Sequence, residues 1–299
     1  MTKGISLLSF GHTSYGKWAF NLALSLKKFN PDIKIQLIHD EASLSHLQEY
    51  HRGFFDIFTP IKEDDQYITV AGIRKIYPAQ IKTRIYDYIE FDNSVYMDVD
   101  AVAMRDCMPL INDCIKEGGY YYTQIHSVYT PMQGGDVIPD MAWASAKTIW
   151  EHYRLAPDAA LPATQSSFAF IKKCKESENL FKRLRENLDN TIPVEKLRLK
   201  WGGSIPDELI LNVTLAQMNI APQLVYNPVY FSNKFNGSFE YINSHYLLGI
   251  FGMKGVTNSS LVDYYDRLMH NYCREHYGIG HFFKAHELLK HKFSAKRVW

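Results

Sequence analysis

The chain has 299 residues, of which 46% are hydrophobic and 22% charged, and its formal net charge is +1 at pH 7. This composition is that of an ordinary globular protein and excludes disordered, collagen-like and coiled-coil chains. A chain without a strong positive field has no general affinity for nucleic acid, and this length accommodates one large or two small domains.

The first hundred residues alternate between short apolar runs and segments with helical spacing. In chain order, the pattern predicts a strand over 5–10, a helix over 15–28, a strand over 33–38, a helix over 43–50, a strand over 54–58, a helix over 78–88 and a strand over 94–97. Such alternation is typical of βαβ units that build a mostly parallel sheet. The sequence therefore predicts an α/β fold.

The rest of the chain is less regular. Its patterns predict a helix over 142–153, a strand over 167–172, a helix over 176–188 and a helix from Asp207 to about residue 218. The pair Gly118-Gly119 is typical of a loop.

The cysteines and the N-terminal sequence bear on the cellular compartment. Cys107, Cys114, Cys174 and Cys273 form no C-x-x-C pair, and reduced thiols in a cytosol are the simplest interpretation. The N-terminus leads directly into a strand pattern, as a signal peptide does not, and residues 246–253 are far shorter than the roughly 20 residues of a membrane span. We therefore expect a cytoplasmic protein.

The first candidate for chemistry is Asp98-Val99-Asp100, which directly follows the apolar strand 94–97. Open parallel sheets bind ligands beyond the carboxyl ends of their strands. Two carboxylates two residues apart offer hard oxygen ligands that suit Mg²⁺ or Mn²⁺, with water and a diphosphate completing the shell. The alternative is a pair of solvated aspartates at a strand end, and the spacing alone favours that alternative.

Five short motifs follow one another along the chain. They are Tyr15-x-Lys17-x-Ala19-x(5)-Ser25-Leu26, Lys82 with V-Y-M-D-V-D at 95–100, Gln165-Ser166-Ser167-Phe168, Asp207-Glu208-Leu209-Ile210-Leu211-Asn212, and His245-Tyr246-Leu247 followed by Gly249 and Lys254. In this order they resemble motifs of the retaining glycosyltransferases of family 8, the last three resembling N-S-G-V, D-Q-x-I-L-N and H-F-x-G-x-x-K-P-W. The resemblance covers residues 5–254 and implies the GT-A fold, with a mostly parallel central sheet flanked by helices.

Some positions depart from the family pattern. Gln165 stands where the family has asparagine, and Ser167 stands where it has glycine. His245 and Lys254 are nine residues apart rather than six, and no Pro-Trp pair follows. This spacing puts the role of Lys254 in question and leaves His245 as a candidate.

The resemblance implies a metal site and a donor site. Asp98, Asp100 and His245 would bind Mn²⁺ or Mg²⁺, which would bridge the diphosphate of a nucleotide sugar and act as a Lewis acid on the leaving group. Tyr15 would stack on the base, and lysines would add charge at the phosphates. The implied donor-binding residues are Phe10, Tyr15, Lys82, Val99, Gln165, Ser166 and Lys254.

Each of these roles has a structural alternative. Tyr15 could pack within its helix, His245 could be a hydrogen-bonded core residue, and Lys82 could be an exposed helix lysine.

Asp207 and Glu208 are the candidate catalytic residues. The resemblance places Asp207 near the transferred sugar, where it could hold hydroxyl groups or stabilise an oxocarbenium-like transition state. In an inverting enzyme, Asp207 or Glu208 could deprotonate the acceptor hydroxyl. The alternative for Asp207 is a carboxylate favoured at a helix N-terminus by the macrodipole.

The C-terminal residues 281–299 combine basic and aromatic side chains. Such a segment could lie on an anionic membrane surface at the inner face of the membrane, or it could pack on the domain as a terminal helix with a solvated basic face. Both interpretations stay open.

We therefore expect a GT-A domain over 1–255, with a nucleotide-sugar half over 1–105 and an acceptor half over 106–255, and a C-terminal helical extension over 256–299. The resemblance implies metal-dependent transfer of a hexose from a nucleotide sugar, above all a UDP-sugar, to a glycan, a glycolipid or another hydroxyl acceptor, with retention. Two alternatives stay open: a non-catalytic carbohydrate-binding or assembly protein on a degenerate fold, and a sugar nucleotidyltransferase. No nucleic-acid partner is expected.

Overall fold

The computed structural model describes residues 1–70, 73–76, 78–129, 144–193, 196, 207–220, 228–231, 239–249, 259–274, 282–285 and 288. The strands in these ranges are β1 (Lys3–Ser9), β2 (Ile35–His39), β3 (Ile57–Pro60), β4 (Tyr67–Val70), β5 (Ile73–Ile76), β6 (Asn93–Asp98), β7 (Ala101–Ala103), β8 (Tyr121–Tyr129), β9 (Leu161–Lys172), β10 (Val229–Phe231) and β11 (Leu247–Gly249). The α-helices are α1 (Thr13–Phe29), α2 (Glu41–Leu44), α3 (Glu49–Arg52), α4 (Pro78–Thr83), α5 (Ile85–Tyr88), α6 (Met108–Glu117), α7 (Ala146–Tyr153), α8 (Lys175–Asp189), α9 (Asp207–Gln217), α10 (Phe239–Asn243) and α11 (Ser259–Tyr272).

The chain forms two compact units that interleave along the sequence. Unit 1 comprises Met1–Ile61, Glu90–Gly118 and Asn227–Trp299, and unit 2 comprises Lys62–Ile89 and Gly119–Tyr226. These units partition the chain differently from the functional halves and the extension expected above, and those functional divisions stay predictions.

Unit 1 is built on a parallel sheet in the strand order β3-β2-β1-β6. A row of polar side chains crosses this sheet: Ser6 Oγ donates to Gln36 Oε1 at 2.7 Å, Gln36 Nε2 donates to Thr59 Oγ1 at 2.7 Å, and Ser94 Oγ lies 2.7 Å from Ser6 Oγ. Ser6, Gln36 and Ser94 are fully buried. Because a buried polar group costs free energy unless it is paired, the row favours one register among largely apolar strands.

Helix α1 is buried on nearly every side, including the continuous run from Trp18 to Leu26. Within that run, Ser25 Oγ donates to the Leu22 carbonyl and accepts the Ala103 N–H of β7, whereas the buried Trp18 Nε1 has no hydrogen-bond partner. Gly16 lets α1 approach the following helix α2 closely. A Cβ atom at position 16 would lie 2.0 Å from the Ser43 carbonyl oxygen.

A second sheet of unit 1 has the order β10-β11-β7, with β11 antiparallel to β7. Helix α11 packs on α1, where the buried Asn21 Nδ2 donates to both Tyr265 Oη and the Phe283 carbonyl at 2.7 Å. Asn21 Oδ1 also accepts the Phe283 N–H. The N-terminal helix is thus joined to the C-terminal part of the chain by one buried amide.

Unit 2 contains the antiparallel pair β8 and β9, the β4–β5 hairpin and the helices α4, α5, α7, α8 and α9. The register of the β8–β9 pair shifts so that Thr123 faces Ala169 while Gln124 faces Gln165. Residues 166–168 therefore form a bulge in β9, held by a 2.7 Å bond from Thr123 Oγ1 to the Phe168 carbonyl. Bulges of this kind often re-aim side chains next to binding sites.

The predicted α/β architecture with a mostly parallel sheet is confirmed. The predicted helix over 43–50 is instead the two short helices α2 and α3, and the predicted helix over 78–88 is α4 followed by α5. Helix α6 and strand β8, which the analysis of the sequence did not predict, flank Gly118. This glycine ends α6 in the left-handed conformation, with φ of 78°.

None of the four cysteines forms a disulfide bond. In the described ranges, no helix combines the length and apolarity that crossing a bilayer requires.

We expect Gly16→Ala to destabilise the protein by about 1–3 kcal/mol, because the new methyl group meets backbone rather than a movable side chain. Alanine is intrinsically the better helix residue by about 1 kcal/mol, so a measured loss must come from this contact. The measurement is urea denaturation at equilibrium.

The matched control is Gly53→Ala. A Cβ atom at position 53 would lie 3.4 Å from the Tyr50 carbonyl oxygen, an ordinary contact, and φ there is −60°. We expect less than about 0.5 kcal/mol of change for this variant. Equal stability of Gly16→Ala and the parent would contradict the close approach of α1 to α2.

Candidate functional site

The carboxyl ends of β1, β2 and β6 meet at one edge of the parallel sheet of unit 1. Leu8 of β1 pairs with Ile38 on one side and with Asp98 on the other. The chain proceeds from β1 to β2 and β3 on one side of β1, while β6 lies on the other side, so β1 and β6 flank the topological switch point. Ligands of open α/β sheets bind at this position.

The loop after β1 is held in place by an aspartate. Gly11 has φ of +86°, and its N–H donates to Asp40 Oδ2 at 2.9 Å, while Asp40 Oδ1 accepts the Ser43 N–H. His12 caps α1, because its Nδ1 accepts the Ser14 N–H at 3.1 Å. These contacts fix the N-terminus of α1 beside the switch point.

Asp98 ends β6, and Asp100 precedes β7. The Tyr96 hydroxyl, two residues earlier on the same face of β6, donates to Asp98 Oδ1. Val99 and Asp100 are buried, and Asp98 is half-buried. The tyrosine bond orients the Asp98 carboxylate, as hydrogen bonds behind metal ligands do.

The aspartate pair fits a divalent cation that takes its other ligands from water and a diphosphate, because both side chains offer carboxylate oxygen at one strand end. His245 does not join this pair. The β7–β11 register places Gly249 opposite Ala101, and the Met104 N–H bonds to the Tyr246 carbonyl at 2.8 Å.

The two aspartates therefore precede one end of β7, while His245 lies beyond the other. Strand geometry puts about 7 Å between the Cα atoms of Ala101 and Ala103, and the aspartates and His245 lie beyond these two positions. His245 instead packs against the Tyr230 ring at 5.3 Å, with Nδ1 3.2 Å from Ser244 Oγ. Across the part of the chain that the structure describes, no three His, Cys, Asp or Glu side chains form a metal-binding group. The set of three ligands expected from the resemblance is thus not assembled.

A second cluster of titratable side chains, the acidic cluster Asp207 and Glu208 with Lys82, lies in unit 2. Helix α9 begins at Asp207 and packs on β9, α8 and α4. Lys82 of α4 reaches Asp207, with Nζ 2.8 Å from Oδ2, and both side chains are about four-fifths buried. This distance makes a charge-assisted hydrogen bond.

Burial, and then the neighbouring Asp207 carboxylate, raise the pKa of Glu208 to about 8, although Lys82 acts in the opposite direction. Tyr121 of β8 is buried near the cluster, since the charges of both Asp207 and Lys82 act on its phenol. Burial raises the pKa of Tyr121 as well. The cluster combines the Lys82–Asp207 ion pair with a carboxyl group whose pKa is raised and with a buried phenol.

Asn212 fixes α9 to the strand beside it. Its fully buried Oδ1 accepts the Thr164 N–H at 3.0 Å and also the Thr164 hydroxyl. Gln165 and Ser166 follow directly on β9, where Gln165 is paired with Gln124. The Asn212 bonds therefore set the start of α9 against the bulged stretch of β9.

The structure places the remaining predicted residues as follows. Phe10 is buried at the end of β1, and Tyr15 is half-buried in the first turn of α1, both near the switch point of unit 1. Lys254 and most of the basic C-terminal segment lie outside the described residues. The structure brings Phe10, Asp98 and Val99 to the carboxyl ends of β1 and β6, and it brings Lys82, Asp207 and Glu208 together in unit 2.

Three residues of these clusters were not predicted from the sequence. The place of Tyr96 could have been predicted, because a residue two positions before Asp98 in a strand lies on the same face of that strand. The capping role of His12 could not have been predicted, since histidine is not a preferred N-cap residue. Tyr121 meets the acidic cluster only through the long-range packing of β8.

No family model matches the sequence, and no curated protein sequence matches it. Among solved structures, the galactosyltransferase LgtC in complex with donor and acceptor sugar analogues is similar, with a TM-score of 0.50 and 14% identity over 83% of this chain and 87% of LgtC. An active-site mutant of LgtC matches to the same extent. The bifunctional glycosyltransferase WbbM is similar with a TM-score of 0.57 and 12% identity, over 97% of this chain and 51% of WbbM.

This chain has the GT-A fold. The fold expected from the resemblance of the motifs is confirmed. At this level of identity the likeness concerns the backbone, so the roles of individual side chains rest on the geometry given above.

We expect Asn212→Ala to destabilise the protein by about 1–3 kcal/mol, because it leaves the buried Thr164 N–H without its acceptor. Thermal unfolding measures the loss. Asn243→Ala is the control, since the exposed Asn243 Oδ1 accepts only the Tyr264 hydroxyl among the bonds recorded for it, and water can replace that bond. Similar losses in both variants would contradict the anchoring role of Asn212.

Proposed function

We propose that this protein is a glycosyltransferase that moves a hexose from a nucleotide sugar to a hydroxyl group of a glycan, a glycolipid or another acceptor. The observation that carries the proposal is the position of Asp98 and Asp100 at the switch point between β1 and β6 of a GT-A fold. Paired carboxylates at this edge are suited to a divalent cation and, through it, to a diphosphate.

The likeness to LgtC supports the class of donor and acceptor, since that enzyme was solved with donor and acceptor sugar analogues. We propose a UDP-sugar as the donor and retention of the anomeric configuration, both following the resemblance of the motifs to family 8.

The residues of unit 1 would bind the nucleotide diphosphate. Asp98 and Asp100 would hold Mn²⁺ or Mg²⁺, which when bound supplies positive charge for the leaving nucleoside diphosphate. Tyr96 keeps the Asp98 carboxylate oriented. Tyr15, in the first turn of α1, offers an aromatic face for the base, and the buried Phe10 and Val99 shape the strand ends beside it.

The acidic cluster of unit 2 would act on sugar hydroxyl groups. Lys82 holds Asp207 ionised and in one orientation, so Asp207 offers a fixed carboxylate to hydroxyl donors or to a developing oxocarbenium charge. Fixed charges of this kind stabilise a transition state without the reorganisation that water would need. Contact of Lys82 with donor phosphates stays a prediction, as do the roles of Gln165, Ser166 and Lys254.

We expect Asp98→Asn and Asp100→Asn to abolish Mn²⁺-supported binding of UDP, because each removes a charged oxygen ligand while keeping the shape of the side chain. Calorimetric titration with UDP, GDP and CDP, with and without Mn²⁺, makes the measurement. Asp92→Asn is the control, since Asp92 precedes the opposite end of β6 and bonds to Thr2. Parent-like binding of UDP by both site variants would overturn the proposed metal site.

We also expect His245→Ala to keep the Mn²⁺-supported binding of UDP within about threefold of the parent. The physical reason is the length of β7, which separates His245 from the two aspartates. The same titration applies. A loss as large as that of Asp98→Asn would show that His245 is a ligand after all.

A further inference from the structure

The acidic cluster of unit 2 contains two carboxyl groups, those of Asp207 and Glu208, and one ammonium group, that of Lys82. Lys82 Nζ lies 2.8 Å from Asp207 Oδ2, and the two side chains are buried to the same extent. In the described part of the chain, the charges that act most strongly on Glu208 are those of Asp207 and Lys82. The positive charge of Lys82 is therefore matched by Asp207, and an ionised Glu208 would bring a second negative charge.

The surroundings of Glu208 make that second charge costly. Glu208 is half-buried in the first turn of α9, next to Asp207, and the buried phenol of Tyr121 is near the cluster. The N-terminus of a helix favours a partly buried carboxylate by at most about 1.5 pKa units. Burial and a neighbouring like charge can act over several units in the opposite direction, so they decide the balance.

We propose that Glu208 carries a proton in the working protein and presents a carboxylic acid, not a carboxylate, to sugar hydroxyl groups. This inference rests on the proposed glycosyltransferase function. The motif that residues 207–212 resemble, D-Q-x-I-L-N, has glutamine at the position of Glu208. A carboxylic acid and a primary amide have nearly the same shape, and each offers both a donor and an acceptor.

Asp207 is then the ionised member of the cluster, and Glu208 is its hydrogen-bond donor. The raised pKa of Glu208, about 8, agrees with this division of roles. Glu208 thereby keeps the hydrogen-bonding capacity of the motif's glutamine up to about neutral pH, and it loses that capacity in alkali.

The first test needs no activity. Carbon-13 labelling of glutamate carboxyl groups should show one resonance that is absent in Glu208→Gln and that titrates with a midpoint above pH 7. Because the folded pKa lies above the ordinary glutamate value of 4.5, the parent loses stability relative to Glu208→Gln as the pH rises from about 5 to 8. The urea midpoints of the two proteins should therefore diverge with increasing pH.

Glu240→Gln is the matched control for the urea series. Glu240 lies in the first turn of α10 and is exposed, so its replacement should produce no divergence with pH. A midpoint below pH 6 for the Glu208 resonance, together with parallel urea midpoints for Glu208→Gln and the parent, would overturn the inference whether or not the protein transfers sugar.

The second test uses the hydrolysis of UDP-glucose and UDP-galactose in the presence of Mn²⁺. We expect the parent's kcat/KM to fall above about pH 8, Glu208→Gln to lack that fall, and Glu208→Ala to lose at least tenfold at every pH. If Glu208→Gln is as inactive as Glu208→Ala, Glu208 does not act as a hydrogen-bond donor, and the inference is overturned. A high carboxyl midpoint without hydrolysis of UDP-glucose or UDP-galactose would support the protonated Glu208 and count against transfer of a hexose from these UDP-sugars.

Discussion

The register of the four parallel strands in unit 1 is the constraint on which the candidate nucleotide site depends. The strands β1, β2 and β6 are buried on both faces, so they could slip by two residues and still bury apolar side chains. The bonds from Ser6 to Gln36 and onward to Thr59, with Ser94 beside Ser6, are formed in a single register. That register pairs Leu8 with Asp98, and so it brings the first loop and the aspartate pair to the same edge. Polar groups in the middle of the sheet thus determine the geometry at its end.

Local pattern was enough to predict the elements that carry the two clusters. An apolar strand before Asp98 and a helix that begins at Asp207 both follow from the spacing of nearby residues, and both are present. His245 shows where such reasoning stops, because its distance from Asp98 depends on the pairing of β11 with β7. The spacing of nine residues between His245 and Lys254, where the family has six, was the available signal that this part of the motif is displaced.

Contacts between distant parts of the chain could not be predicted from periodicity. The ion pair of Lys82 with Asp207 depends on the packing of α4 against α9. The sequence of neither helix indicates that it packs against the other. The pKa of Glu208 follows from the same packing, since burial is its largest cause. The charge of a carboxyl group in this fold therefore depends on the packing of the folded unit. The residue type at one position of a motif does not determine that charge.

The interleaved order of the two units has a consequence for how the protein emerges during translation. Unit 1 begins at Met1 but takes its last segment from Asn227 onward, and Asn21 finds its partners only at Tyr265 and Phe283. Synthesis at about 5–20 residues per second leaves α1, with its large apolar surface, waiting for more than ten seconds before those partners exist. During this interval the apolar side chains of α1 lack partners that bury them in the folded protein, which leaves this segment prone to aggregation.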